Sequence, residues 1–165
     1  MTDWDDLLEE YGSMVWRTAC RLLGRTQDAE DCVQETFVSA VQLAQRERVK
    51  HWEATLRHLA TARAIDLLRK RGRVPQPGQL AADPPAAASA DPAGLAEANE
   101  LAERLRSAMA QLAPRQAEVF ALRFMEEMSY RQIARVLGIS VNAVSVLLHD
   151  ARQRLRALLG EDEAQ

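Results

Sequence analysis

Few side chains in this 165-residue chain are spaced for covalent chemistry. Cys20 and Cys32 form no CxxC pair, and His51, His58 and His149 do not cluster with them at metal-ligand spacing. Both cysteines fall at apolar positions of predicted helices, which makes them buried, reduced thiols; a zinc or redox role is the alternative. The sequence holds no phosphate loop, no nucleophile motif and no glycine-rich cofactor turn. No catalytic residue, metal, cofactor or small-molecule substrate is therefore expected. Asp66, an acid on a basic helix, is expected to tie down neighbouring arginines. The chemistry that the spacing does support is hydrogen bonding and charge.

Hydrogen-bonding side chains are best ordered in "SYRQIARVLGISVNAVSVLLHDARQRL", Ser129 to Leu155. Ile133, Ala134 and Leu137 precede Gly138, and Ile139, Val144 and Leu148 follow it. Two crossed helices joined by a tight turn need a small residue where they touch, here Ala134. They also need a turn residue that tolerates positive φ, here Gly138, and apolar residues such as Val144 to lock the pair. Ser140 can cap the second helix. These constraints together describe a helix-turn-helix, with an ordinary helical hairpin as the alternative. In such a motif the start of the second helix enters the major groove of DNA. Its outward positions are Ser140, Val141, Asn142, Ser145, Val146 and His149. Asn142 can pair with adenine and Ser145 can serve several bases, but arginine, the usual reader of guanine, is missing. Arg131, Arg135, Arg152, Arg154 and Arg156 could grip phosphate or simply be solvated. Such a module would bind DNA weakly by itself.

The elements that position these residues are helices. Leu, Ala and Arg abound, aromatics are scarce, and no strand pattern or internal repeat appears. No apolar run approaches the ~20 residues that cross a bilayer, and the acidic start "MTDWDDLLEE" is no secretory signal, so a cytoplasmic protein without membrane insertion is expected. Five of the six prolines lie in "VPQPGQLAADPPAAASADPAG", which divides the chain into a first module over 1–73, a flexible linker over 74–94 and a second module over 95–160. The fold expected is all-α: two small helical domains on a Pro/Ala-rich tether.

In the first module, Leu7, Leu8, Tyr11, Met14, Val15, Thr18, Ala19 and Leu22 mark one helix, stopped by Gly24. Ala29, Cys32, Val33, Thr36, Phe37, Ala40, Val41 and Ala44 mark a second, capped by Thr26 or Asp28. A third runs from about Trp52 to Arg71, with Leu56, Leu59, Ala60, Ala64 and Leu67 inward. In the second module, one helix covers roughly Leu95 to Leu112. Pro114 opens the next, with Val119, Phe120, Leu122 and Phe124 on its apolar side. The tail "GEDEAQ" is expected to fray. Net charge is −3, but residues 1–45 hold nine acids and three bases whereas 46–73 hold nine bases and three acids. The first segment suits a basic partner surface and the second suits phosphate.

Three stretches in order, "GRTQDAEDCVQETFVSA", "LATARAIDLLRKRGR" and "LAPRQAEVFALRFMEEMSYRQIARVLGISVNAVSVLLHDARQRLRALL", resemble bacterial extracytoplasmic-function sigma factors of the sigma-70 family. The resemblance implies a region two and a region four, core RNA polymerase and promoter DNA as partners, and often a restraining anti-sigma factor. It implies that Glu30, Asp31, Gln34, Glu35 and Val38 on the second helix dock on the polymerase clamp, a contact that opposite charge would speed. It implies that the third helix and the loop before it, with Lys50, His51, Trp52, Arg57, Arg63, Arg69, Lys70, Arg71 and Arg73, act on the minus-ten element. Trp52 or His51 could stack on an unpaired base, or Trp52 could be a core anchor. The helix-turn-helix would face the minus-thirty-five element through Arg131, Arg135, Ser140, Val141, Asn142, Ser145, Val146, His149 and Arg152. A coil of some twenty linker residues spans roughly 25 Å, or up to about 60 Å extended, enough for elements more than one DNA turn apart.

Several positions depart from the family pattern: Ala62, Gln132, Ala143, Ser145, Leu147 and Asp150. Val146 and Leu147 are expected to leave an apolar patch on the recognition helix, and contact with the minus-thirty-five element should be weaker or differently specified. The competing classes are a free-standing helix-turn-helix regulator and a protein-interaction adaptor with no DNA role. The regulator leaves the segregated charge of the first module unexplained, and the adaptor predicts that DNA competitors leave partner binding unchanged.

Overall fold

The computed structural model describes residues 2–72 and 92–163. Among them lie α1 (Trp4–Leu23), α2 (Thr26–Arg46), α3 (Trp52–Arg71), α4 (Pro92–Ala110), α5 (Pro114–Phe124), α6 (Tyr130–Leu137) and α7 (Val141–Glu163), and no strand. Arg73 and residues 74–91 of the expected linker lie outside the described residues; residues 92–94 already form the first turn of α4.

Helix α1 starts where the Asp3 carboxylate accepts from the Asp5 and Asp6 amides, and stops at Gly24, whose φ of 68° is the left-handed C-cap conformation. Its expected core positions are buried or partly buried, except Leu8, which is 47% exposed. Neither Thr26 nor Asp28 caps α2. The N-cap is Arg25, whose side chain makes no capping bond, and the Asp28 carboxylate is taken instead by Arg71. Helix α3 buries Leu56, Ala60 and Ala64 as expected and adds Ile65 and Leu68. These two extra residues are the first sign that α3 has a second neighbour.

That neighbour is the second half of the chain. Helices α1, α2 and α3 form a three-helix bundle, and α4 and α5 pack on its α3 side. Ala64, Ile65 and Leu68 of α3 share one buried cluster with Met109, Leu112, Ala117 and Ala121. Ala151 and Leu155 of α7 complete it. A smaller cluster of Val119, Leu122, Met128, Ile133, Ala134, Val144 and Leu148 holds α5, α6 and α7 together. A third, with Leu7, Met14, Val15, Ala40, Leu56 and Ala60, fills the far end of the bundle. Helix α7 continues through Gly160 to Glu163, past the point where fraying was expected.

Candidate nucleic-acid interface

The helix-turn-helix is built by two serine caps and one glycine. The Ser129 hydroxyl accepts from the Gln132 amide at 3.1 Å while the Gln132 side chain accepts from the Ser129 amide at 2.9 Å. Gln132, a departure from the family glutamate, thus completes the capping box. Gly138 closes α6 at φ 67°, and the chain turns by 104° into α7, within the range of this motif. The Ser140 hydroxyl accepts from the Ala143 amide at 3.0 Å. Ile133, Ala134, Val144 and Leu148 are buried between the two helices and α5.

This leaves Ser140, Val141, Asn142, Ser145, Val146 and His149 exposed along the first turns of α7, with Arg131 and Arg135 exposed on α6. Leu147 corrects the expected patch: it is partly buried against the α5–α6–α7 cluster, so only Val146, 52% exposed, stands out beside Val141. Arg152 is exposed on α7, and its guanidinium sits over the Phe124 ring, 4.7 Å from its centre. Phe124, expected inward, is 44% exposed and serves as that platform.

On α2, Glu30, Asp31, Gln34 and Val38 are exposed, and Val38 at 56% is a bare apolar spot beside acids. Glu35 is partly buried and pairs with Arg63 Nε at 2.6 Å. Arg63 also lies 3.8 Å from Asp66, the acid expected to hold arginines. Lys50 and His51 are exposed at the entry to α3. Trp52 is a core anchor: its ring meets Trp4 edge-on at 5.7 Å and packs on the far-end cluster.

The remaining arginines of α3 are engaged elsewhere. Arg57 donates to Glu126 Oε2 at 2.6 Å and to Glu53 Oε1 at 3.0 Å. Burial pulls its guanidinium toward losing the proton, but the two carboxylates outweigh this and hold its pKa above the usual value. Arg69 donates to the Leu112 carbonyl at 2.5 Å, and Arg71 to the Leu23 carbonyl at 2.9 Å and to Asp28. Lys70 is exposed.

Sequence reasoning missed the residues that join the halves. Glu126 is buried, takes Arg57, and lies 4.0 Å from Arg21. Arg21 donates to the Met125 carbonyl at 2.6 Å. Glu118 is buried with an oxygen 2.5 Å from His58 Nδ1. Arg106 lies over Gly24 and donates to the Arg21 carbonyl at 3.0 Å. The only signal available was that Glu118 and Glu126, two of the three glutamates in "QAEVFALRFMEEM", are set among apolar residues.

Both halves match family models: residues 7–74 match Sigma-70 region 2 and residues 102–155 match Sigma-70, region 4. The chain is 30% identical over 161 residues to the ECF RNA polymerase sigma factor SigM of Bacillus subtilis, covering 93% of each. It is 30% identical over 171 residues to the ECF RNA polymerase sigma factor SigE of Mycolicibacterium smegmatis, using all of this chain but spanning 65% of that protein. Its fold superposes with a TM-score of 0.62 on CnrH, solved in complex with the cytosolic domain of CnrY, at 25% identity over 96% of this chain and 88% of that one. The chain belongs to the extracytoplasmic-function sigma factors of the sigma-70 family, the class that acts in transcription initiation.

Proposed function

We propose that this chain is the promoter-specificity subunit of an RNA polymerase, working in the cytoplasm. It docks on the core enzyme through the acidic face of α2, where Glu30, Asp31, Gln34 and Val38 combine charge with a bare apolar contact. Its α3 and the preceding loop take the minus-ten element, and the exposed row from Ser140 to His149 takes the minus-thirty-five element. The observation that carries the reading is that row: a capped helix-turn-helix presents six exposed residues at the start of α7, with Arg131 and Arg135 exposed on α6 beside it. Asp150, exposed on the same helix, repels phosphate. Unaided grip on a duplex is therefore weak and the polymerase supplies the rest. The sigma factor RpoE of Bartonella quintana, of like fold, is solved in complex with the anti-sigma factor NepR, and a restraining anti-sigma partner is proposed for this chain by that likeness.

The test is in vitro transcription from a genomic library with purified core polymerase, with and without the chain. Defined start sites that appear only in its presence, together with co-purification of chain and core enzyme, are expected. Tight, specific binding of a duplex by the chain alone, with no association to core polymerase, would instead identify a free-standing regulator.

A further inference from the structure

The exposed face at the start of α7 is not uniformly polar. At about 100° per residue, Val141, Ser145, His149, Asn142 and Val146 follow one another in that order across a sector of about 140°, and all five are exposed. The three hydrogen-bonding side chains hold the middle of the sector and the two valines flank them. Val141 is 45% exposed and Val146 52%, whereas Val144 and Leu148, from the same turns, are sealed against α5 and α6. No arginine or lysine lies between Ser140 and Ala151 to take a guanine.

A lone surface valine needs no explanation. These two border the side chains proposed to meet base edges, in the turns of the helix that enter the major groove. Water leaves that surface on docking, so the group facing each valine decides whether its placement helps or costs. Against a G·C pair, valine strips water from amino and carbonyl groups and returns no hydrogen bond. The apolar group that a base pair offers in the major groove is the C5-methyl of thymine. Valine is stiff at χ1 in a helix and meets such a methyl with little rotamer freedom to lose.

We propose that Val141 and Val146 determine promoter specificity by reading thymine methyl groups, so that the DNA under α7 carries two thymines flanking the adenine assigned to Asn142. The assignment rests on the helix-turn-helix reading given above and deepens it. From Val141 to Val146 the helix rises about 7.5 Å, on the order of two base-pair steps of about 3.4 Å. The two thymines are therefore expected about two steps apart, on either strand.

Deoxyuridine pairs as thymine does and lacks only the methyl group, so it deletes the proposed contact without altering the protein. On a promoter that the chain and core polymerase use in vitro, the segment facing α7 is located by scrambling the upstream DNA in short blocks. Each thymine of that segment is then replaced singly by deoxyuridine. Replacement at two positions is expected to lower initiation about fourfold each, the scale of one buried methyl group. In Val146→Ala the penalty at one of these positions should disappear, and in Val141→Ala the penalty at the other, as a double-mutant cycle requires of groups in contact. Circular dichroism checks that these two exposed substitutions leave the helices intact. Deoxyuridine without effect at every position, while scrambling still abolishes initiation, overturns the methyl reading and leaves the helix-turn-helix reading standing. Penalties that persist in both valine variants overturn it as well, because other residues then hold the methyls. Valine variants that weaken initiation equally on thymine and deoxyuridine templates show that the valines face a protein, which also overturns it. If no upstream block affects initiation, the minus-thirty-five reading itself falls and the methyl reading with it.

Discussion

Asn142 and Ser145 stand in water at the start of α7 and belong to no packing cluster. Their truncation should leave the fold intact and act only through base contacts. For Asn142→Ala with Ser145→Ala, a loss of about 1–3 kcal/mol in promoter discrimination is expected, read as a fall in transcription from the cognate promoter at unchanged thermal stability. An unchanged promoter profile would remove these residues from recognition. Cys32 is the opposite case. Its thiol is buried against the Ala60 carbonyl at 3.5 Å, and burial pushes its pKa up to about 11 from 9.0. Above pH 9 the unfolded thiol loses its proton while the folded one keeps it, so the native state binds more protons and stability falls as pH rises. The loss grows to about 2–3 kcal/mol by pH 11. Chemical denaturation between pH 8 and 11 should show this slope flattened in Cys32→Ala.

At the scale of elements, α6 is too short to be helical without help. Eight residues lie below the length at which an isolated helix survives in water, so the capping box and the packing of Ile133 and Ala134 must hold it. Ser129→Ala is expected to cost about 1 kcal/mol. Amide exchange should show the loss concentrated in α6. Gly138→Ala should cost a similar amount, about 1–2 kcal/mol, from backbone strain alone. A Cβ there meets nothing within 4 Å, while the φ of 67° disfavours any side chain. Asparagine, which tolerates this conformation, should recover part of the loss in a thermal melt. At Gly24 the left-handed turn coincides with a crowded site: a methyl group would displace the Arg106 guanidinium from the Arg21 carbonyl. The turn that ends α1 thus also makes room for the second half.

The whole molecule behaves as one cooperative body if the shared cluster is its main core. Met109 is 1% exposed and packs with residues of α1, α3 and α7. Met109→Ala should cost about 2–5 kcal/mol. All three tryptophans, Trp4, Trp16 and Trp52, lie in the first half. Their fluorescence should nevertheless follow the same melting curve as the far-ultraviolet signal of the entire chain, and Met109→Ala should shift both together. Separate transitions, with the tryptophan signal unmoved by Met109→Ala, would show that the halves fold independently.

Helix positions were legible in the sequence because amphipathic spacing is local. The stripe from Ala29 to Ala44, the stop at Gly24 and the turn at Gly138 all express backbone and burial rules within a few residues. So did the outward row of α7, since the residues that pack α6 on α7 fix by elimination those that face water. The arginines of α3 could not be resolved in the same way. Their spacing marks a basic helix, but whether each meets phosphate, solvent or a carboxylate depends on groups tens of residues away, such as Glu126 for Arg57. Leu147 and Phe124 exchanged their expected environments for the same reason. The sequence alone determined the helices, the motif and the family resemblance, because each rests on near neighbours. Only the tertiary structure decided which charges are already spoken for, because an ion pair is set by distance in space and not along the chain.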